Sequence, residues 1–265
     1  MAIWQVWLAG LGAVLALMTA VWVASVVRRD ASLVDRVWGL AFVVAAWTYA
    51  ALGDGDPART ALALTLVTVW GLRLSAYVTW RNWGEGEDKR YQAMRQRGSV
   101  SFAARSLVTI FWNQAVIAWL VSLPLLAATT RPSPDGLVWL DWLGLAVWAV
   151  GLVFEAGGDW QLSRFLADPA NRGTVMDRGL WRYTRHPNYF GDATVWWGYF
   201  LVAAATGAWW AVAGSALMTV LIVKVSGVAL TDKQMEKSSR EGYAEYVRRT
   251  NAFFPGPPRK APRGL

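Results

Sequence analysis

The chain has 265 residues, 55% of them hydrophobic and only 17% charged, with 19 tryptophans; a soluble domain carries about a quarter charged residues. With no cysteine and a single histidine, disulfides, thiolate metal sites and cysteine nucleophiles are excluded, and zinc or haem ligation has almost nothing to build on. The net charge of +8 comes from bases in short loops beside apolar runs, which points to membrane topology and not to nucleic acid.

Long apolar runs between charge clusters are the pattern of an all-α integral membrane protein. A hydrocarbon core of about 30 Å needs roughly 20 apolar helical residues. Seven transmembrane helices are expected on that rule, near residues 2–27, 36–53, 60–80, 106–130, 137–163, 189–206 and 208–230. The first has no base before it and Arg28–Arg29 after it, the reverse of a cleavable signal, so it reads as a retained helix. The last two share one uncharged stretch, Ala193–Val223, which Thr206–Gly207 divides at a natural turn; one very long sixth helix is the alternative. Of the 26 Lys and Arg, 23 fall in the segments after spans one, three, five and seven. The positive-inside rule then puts the N-terminus outside and the C-terminus in the cytoplasm. No repeat or soluble domain interrupts the chain, so residues 1–265 read as one membrane domain. Its Pro-rich end, PGPPRKAP, is expected to be loose over the last ten residues.

In chain order, the first chemical candidate is SLVDRVWG, Ser32–Gly39. Ser32 can cap the second span and Asp35 can sit in its first turn, where the helix dipole favours an acid; Asp35 also lies at cavity depth if that helix borders a site. Arg73 sits inside span three, in WGLRLSAY. The loop RNWGEGEDKRYQAMRQRG, from Arg81, pairs turn-forming Gly84 and Gly86 with mixed acids and bases, unusual for a simple basic anchor; a solvated loop is the plain alternative. In span five Glu155 and Asp159 are four residues apart, on one helix face, and Gly157–Gly158 leaves backbone bare for close approach. An ionisable group in a span costs at least a few kcal/mol unless it meets water or a partner. These acids therefore point to an internal polar cavity opening to the cytoplasm.

Between spans five and six runs RFLADPANRGTVMDRGLWRYTRHPNYFGD. Asp168–Pro169, Arg172–Gly173 and Arg178–Gly179 mark turns, and Pro187 is expected in the first turn of the next helix. Arg172, Arg178, Arg182 and Arg185 suit phosphate by paired donors, beside the free N–H groups of a helix start. Tyr183 and Tyr189 offer ring faces and hydroxyls, while Asn188 and Asp192 can bind amide or ribose groups. The mixture suits a phosphorylated nucleotide; lipid phosphate is the simpler alternative. No GxGxxG after a strand, Walker A, GxSxG or HExxH occurs, so a nucleotide here needs a non-Rossmann site.

Together, ADPANRG…DRGLWRYTRHPNYFGD, WGLRL, RNWGEGED and GYAEYVRRTNAFFP resemble a bacterial branch of the steroid 5-alpha-reductase family, most densely from Glu155 to Asp192. The RHPxYxG core alone is shared with isoprenylcysteine carboxyl methyltransferases, phospholipid methyltransferases and sterol reductases, and implies NADPH or S-adenosylmethionine. The fuller resemblance implies a seven-helix protein of the bacterial inner membrane. It would bind NADPH from the cytoplasm and reduce the 4,5 double bond of a 3-oxo-4-ene steroid or similar lipophilic enone. It assigns Asn188, Asp192 and Asp159 to the cofactor; Asn82, Glu155, Arg172, Tyr183, Arg185 and His186 complete the candidate set. Lys233 or Glu236 stands where the animal enzymes carry a histidine. The family's second-helix glutamate and third-helix tyrosine engage the substrate carbonyl. Here the chain departs: Asp35 is the nearest acid, and Tyr77 is an approximate match because strict spacing falls nearer Gly71. Asp35 would act protonated, or through Tyr77 or water. The expected partners are a steroid-like substrate and membrane lipids, with no nucleic acid and a monomeric state. A methyltransferase using S-adenosylmethionine is the alternative, and it needs no carbonyl acid.

Overall fold

A computed structural model describes residues 1–96, 101–237 and 240–259. Among these residues there is no strand, and each of the seven apolar stretches is helical. The helices are α1 (Ile3–Arg28), a single turn α2 (Leu33–Arg36), α3 (Trp38–Leu52), α4 (Pro57–Arg81) and α5 (Lys89–Gln96). Then come α6 (Phe102–Val121), α7 (Leu123–Thr130), α8 (Trp139–Ala167), α9 (Pro187–Ala204), α10 (Trp209–Lys237) and α11 (Tyr243–Arg249). Five of them, α1, α4, α6, α8 and α10, are long and apolar enough to cross a membrane. The apolar α3 has 15 residues, about 22 Å at 1.5 Å per residue, and α9 has 18. The chain breaks at Thr206–Gly207, where Gly207 has a φ of +76° that only glycine adopts freely.

The chain forms two compact units, Met1–Asp141 with Val202–Gly214, and Trp142–Leu201 with Ser215–Leu265. In the first, α1 buries a narrow stripe, Val6, Gly10, Val14 and Met18, and leaves the rest of its apolar surface outward, as a helix in lipid does. Gly10 lets the Tyr49 ring of α3 lie directly on the α1 backbone, and the Tyr49 hydroxyl meets Ser122 Oγ at 2.7 Å. Trp7 of α1 stacks on Trp119 of α6 at 3.8 Å, with the Trp119 indole donating to the Trp7 carbonyl. At the start of α4, Asp56 accepts the Arg59 N–H, and Pro57 occupies the first turn. Arg59 is fully buried there: it pairs with Asp141 at 2.9 and 3.0 Å and donates to the carbonyls of Pro134 and Gly136. Each nitrogen of that guanidinium head has at least one acceptor, which is what burying a charge requires.

In the second unit α8 and α9 run backbone against backbone. A Cβ added at Gly191 would lie 2.3 Å from the Glu155 nitrogen, and one at Gly151 would lie 2.5 Å from the Val195 nitrogen. Gly198 packs in the same way on Trp148 and the Gly144 carbonyl. Small residues allow such contact, and van der Waals packing holds it where no hydrophobic drive operates between helices. The tail is bound, contrary to the loose end expected. Arg185 N–H donates to Asn251 O, Gly256 N–H to Tyr183 O, and Arg259 N–H to Arg249 O. Lys260–Leu265, the rest of that stretch, and residues 97–100 of the loop after α4 lie outside the described residues.

Candidate functional site

In the first unit, local turns bring together residues far apart in sequence. The corner at Ala31–Arg36 is tied to the loop after α4 by three contacts, and Arg95 braces the loop itself. Ala31 N–H donates to Glu87 at 2.9 Å, and Asp88 N–H donates to Ser32 Oγ at 2.7 Å. Arg36 reaches the Asn82 carbonyl at 3.4 Å, while Arg95 grips Glu87 with two nitrogens at 2.6 and 3.1 Å. Ser32 precedes α2 but its side chain makes no cap bond; it is a clasp for the loop. Asn82 closes α4, with its side chain accepting from Arg81 and its backbone holding Arg36.

The clasp delivers α5 to Asp35. Tyr91 donates its hydroxyl proton to Asp35 Oδ1 at 2.9 Å, and Arg90 donates to Oδ2 at 3.0 Å. Gln114 of α6, just after a π-helical stretch at Leu107–Trp112, donates to the Tyr91 oxygen at 3.3 Å. Tyr91 is 6% exposed. Burial pushes the Asp35 carboxyl above the usual range, against the opposing Arg90 charge and the bonds from Tyr91 and Gln114. Burial, and then the Asp35 charge, push the Tyr91 hydroxyl up as well, so it stays a donor at any physiological pH. The hydroxyl beside Asp35 thus belongs to Tyr91, not to Tyr77. The Tyr77 ring stands between two guanidinium groups, Arg73 at 5.3 Å and Arg81 at 5.6 Å. Tyr91, Arg90 and Gln114 were missed from sequence; the one signal was the mixed charge of the loop that carries two of them.

The second unit holds a different polar cluster. The α8–α9 seam buries Glu155 and Asp159, at 3% and 4% exposure, and Gly158 brings α8 against Pro187 and Asn188. Asn188 donates to Asp159 at 3.1 Å, and Asp192 follows one turn later, half-buried. Ahead of α9, Arg185 pairs with Asp232 of α10 at 2.7 Å, and its head also donates to the Thr250 carbonyl. His186 meets the other Asp232 oxygen at 2.9 Å, and Tyr243 donates to it at 3.2 Å. These groups border a cavity of about 150 Å³ whose wall includes Trp181, Met235 and Tyr246. A second, wider cavity of about 490 Å³ is lined by Arg178, Arg182, Arg249 and Arg259, with Asp177 and Glu245. Arg172, Tyr183 and Lys233 are exposed. The structure therefore groups Asp159 with Asn188, and Arg185 with His186, and it joins the second pair to Asp232 and Tyr243, which the sequence did not single out.

Chemically, the first cluster holds a carboxyl pushed above its usual range against a hydroxyl that keeps its proton. The second offers an amide–carboxylate pair and, in the wider cavity, guanidinium groups for an anion. A family model described as "Protein of unknown function (DUF1295)" matches residues 21–250. Neither a curated protein nor a solved structure matches the chain.

Proposed function

The chain belongs to the DUF1295 family, and on that premise we propose that it is a membrane reductase that uses NADPH to saturate the carbon–carbon double bond of a lipophilic enone, a 3-oxo-4-ene steroid or a relative of one. The observation that carries the reading is the Asp35–Tyr91–Gln114 chain, a carboxyl held above its usual range with a buried hydroxyl against it. Reducing an enone places negative charge on its carbonyl oxygen, and preorganised donors for that charge are the largest single contribution a site can make. The motifs shared with the steroid 5-alpha-reductases support the same chemistry.

The donor set of the second unit fits NADPH. The Asn188–Asp159 pair has the amide and acid groups that recognise a carboxamide or ribose, with Asp192 and Glu155 on the same seam. The exposed Arg172 and Arg182 suit phosphates. When bound, the cofactor supplies hydride. The chain's own part is to hold the substrate carbonyl and manage the proton. Protonated Asp35 donates to the carbonyl oxygen, Tyr91 and Gln114 fix the orientation of that carboxyl, and Arg90 limits how far its acidity is suppressed.

The same reading takes all seven apolar helices as spans of a bacterial inner membrane, with the N-terminus outside and the C-terminus in the cytoplasm. Its support is the distribution of bases, 23 of 26 on one side. The test is to purify the full chain in mild detergent and identify the nucleotide it retains by mass spectrometry. NADP(H) is expected, and its affinity should fall at least tenfold in Asn188→Ala, the effect of losing one hydrogen bond to a charged group, about 1.5–3 kcal/mol. Retention of S-adenosylmethionine or its demethylated product would replace the reductase with a methyltransferase.

A further inference from the structure

Helices α3 and α4 meet backbone to backbone at Gly39 and Gly71, where an added Cβ would come within 2.4 and 2.6 Å of the opposite carbonyl oxygen. From that crossing to the end of α4 lies an open groove of about 510 Å³. Leu40 and Leu72 form its apolar walls, and the small Ser75 and Ala76 keep it clear. Trp80 and Trp83, 64% and 75% exposed, stand at its outer end with Arg36. Two of its polar groups lack acceptors. The Ser75 hydroxyl is buried and makes no hydrogen bond. Arg36 donates through Nη2 to Asp30 and the Asn82 carbonyl, while its Nε is buried without an acceptor.

We propose that this groove binds an anionic phospholipid, with one acyl chain along α4, the phosphate at Arg36 and the chain's ester carbonyl at Ser75. From Gly71 to Arg81 α4 rises about 15 Å, half of a hydrocarbon core of about 30 Å and so the depth of one leaflet. Tryptophans collect at the membrane–water interface, which sets the Trp80–Trp83 end, and Arg36 with it, at headgroup level. A guanidinium with donors to spare binds phosphate by two parallel bonds. Ser75 lies seven residues deeper than Asn82, about 10 Å along the helix, below the phosphate where the ester begins. The site stands on the groove alone and does not depend on the reductase reading.

The test places the full chain in phosphatidylcholine nanodiscs containing a small fraction of phosphatidylglycerol with a diazirine on its acyl chain. After irradiation, labelled peptides are mapped by mass spectrometry. Labelling is expected to concentrate on residues 72–83 and to vanish in Ala76→Trp, which fills the groove. Arg36→Gln should lower it about tenfold, the worth of one charge-assisted hydrogen bond, and lower labelling by a zwitterionic diazirine lipid by a smaller factor. Where Ala76→Trp fails to fold, Ser75→Ala leaves the groove open, removes the hydroxyl and should still reduce labelling. Labelling spread evenly onto outward residues such as Val150 and Val153 of α8, or unchanged in Arg36→Gln and Ser75→Ala, overturns the site. Labelling by a diazirine fatty acid but not by the phospholipid overturns the choice of ligand.

Discussion

Asp35 and Asp232 are both carboxylates met by an arginine and a tyrosine hydroxyl, and their side chains are similarly exposed, 26% and 21%. Their surroundings differ in how firmly the positive partner is held. Arg185, only 12% exposed, is fixed on Asp232 by its own bonds to tail carbonyls, and His186 and Tyr243 complete the shell. Arg90 is 48% exposed and divides its donors between Asp35 and Asp88. A shared, half-solvated cation attracts a carboxylate weakly, so at Asp35 desolvation outweighs it and the carboxyl is pushed above its usual range. The same three residue types thus hold one carboxyl low and leave the other raised, and the difference lies in burial at Asp35 and in the added His186 bond at Asp232.

The largest expected effect follows from that division. Asp35→Ala should lower kcat for enone reduction about 10²- to 10³-fold, the loss of one preorganised oxyanion donor, while the retained nucleotide and thermal midpoint stay as in the parent. Asp232→Asn should do the converse. It keeps the shape but removes the charge that holds Arg185 and His186, costing about 2 kcal/mol, or about 4–8 °C in thermal midpoint for a chain of this size. Proteolysis should then cut more readily after Arg240, where the tail loses its tie. If Asp232→Asn instead abolished turnover at an unchanged midpoint, the contrast between tie and acid would be wrong.

The helices were legible because each is a local property. An uncharged run of sufficient length states its own secondary structure, and Thr206–Gly207 and Pro187 mark breaks by backbone chemistry that needs no partner. The seam acids were legible for a related reason, since Glu155 and Asp159 share a helix face at fixed spacing and the glycines beside them announce close packing. Tyr91 was not legible. It reaches Asp35 only because Glu87 accepts from Ala31 and Ser32 accepts from Asp88, contacts across more than fifty residues with no periodicity to betray them. Tyr77 stood out only as the approximate match to the third-helix tyrosine of the steroid 5-alpha-reductases; in the loop, Tyr91 was one polar residue among many. The tail misled in a similar way. PGPP reads as loose by composition, yet its one backbone donor, Gly256 N–H, is taken by the Tyr183 carbonyl, and the next residue, Arg259, donates to the Arg249 carbonyl.

Smaller effects should sharpen the account of the acid. Because burial raises the Asp35 pKa, the protonated fraction falls as pH rises through that value, and kcat should fall tenfold per pH unit beyond it. Tyr91, pushed up in the same direction, adds no second limb near neutrality. Arg90→Ala removes the charge that favours ionised Asp35, so the limb should move to higher pH; a move to lower pH would mean that desolvation does not govern the group. The smallest change is expected from Gln114→Ala. It deletes one neutral hydrogen bond to the Tyr91 oxygen, worth about 0.5–1.5 kcal/mol, and should reduce kcat between about two- and tenfold. Gln114 also helps hold the Asp35 carboxyl down, so its loss leaves the charges around Asp35 in place but removes one of the bonds that oppose desolvation. The pH limb should therefore move slightly to higher pH while kcat falls, and a limb that moved to lower pH would mean that Gln114 does not favour the ionised carboxyl.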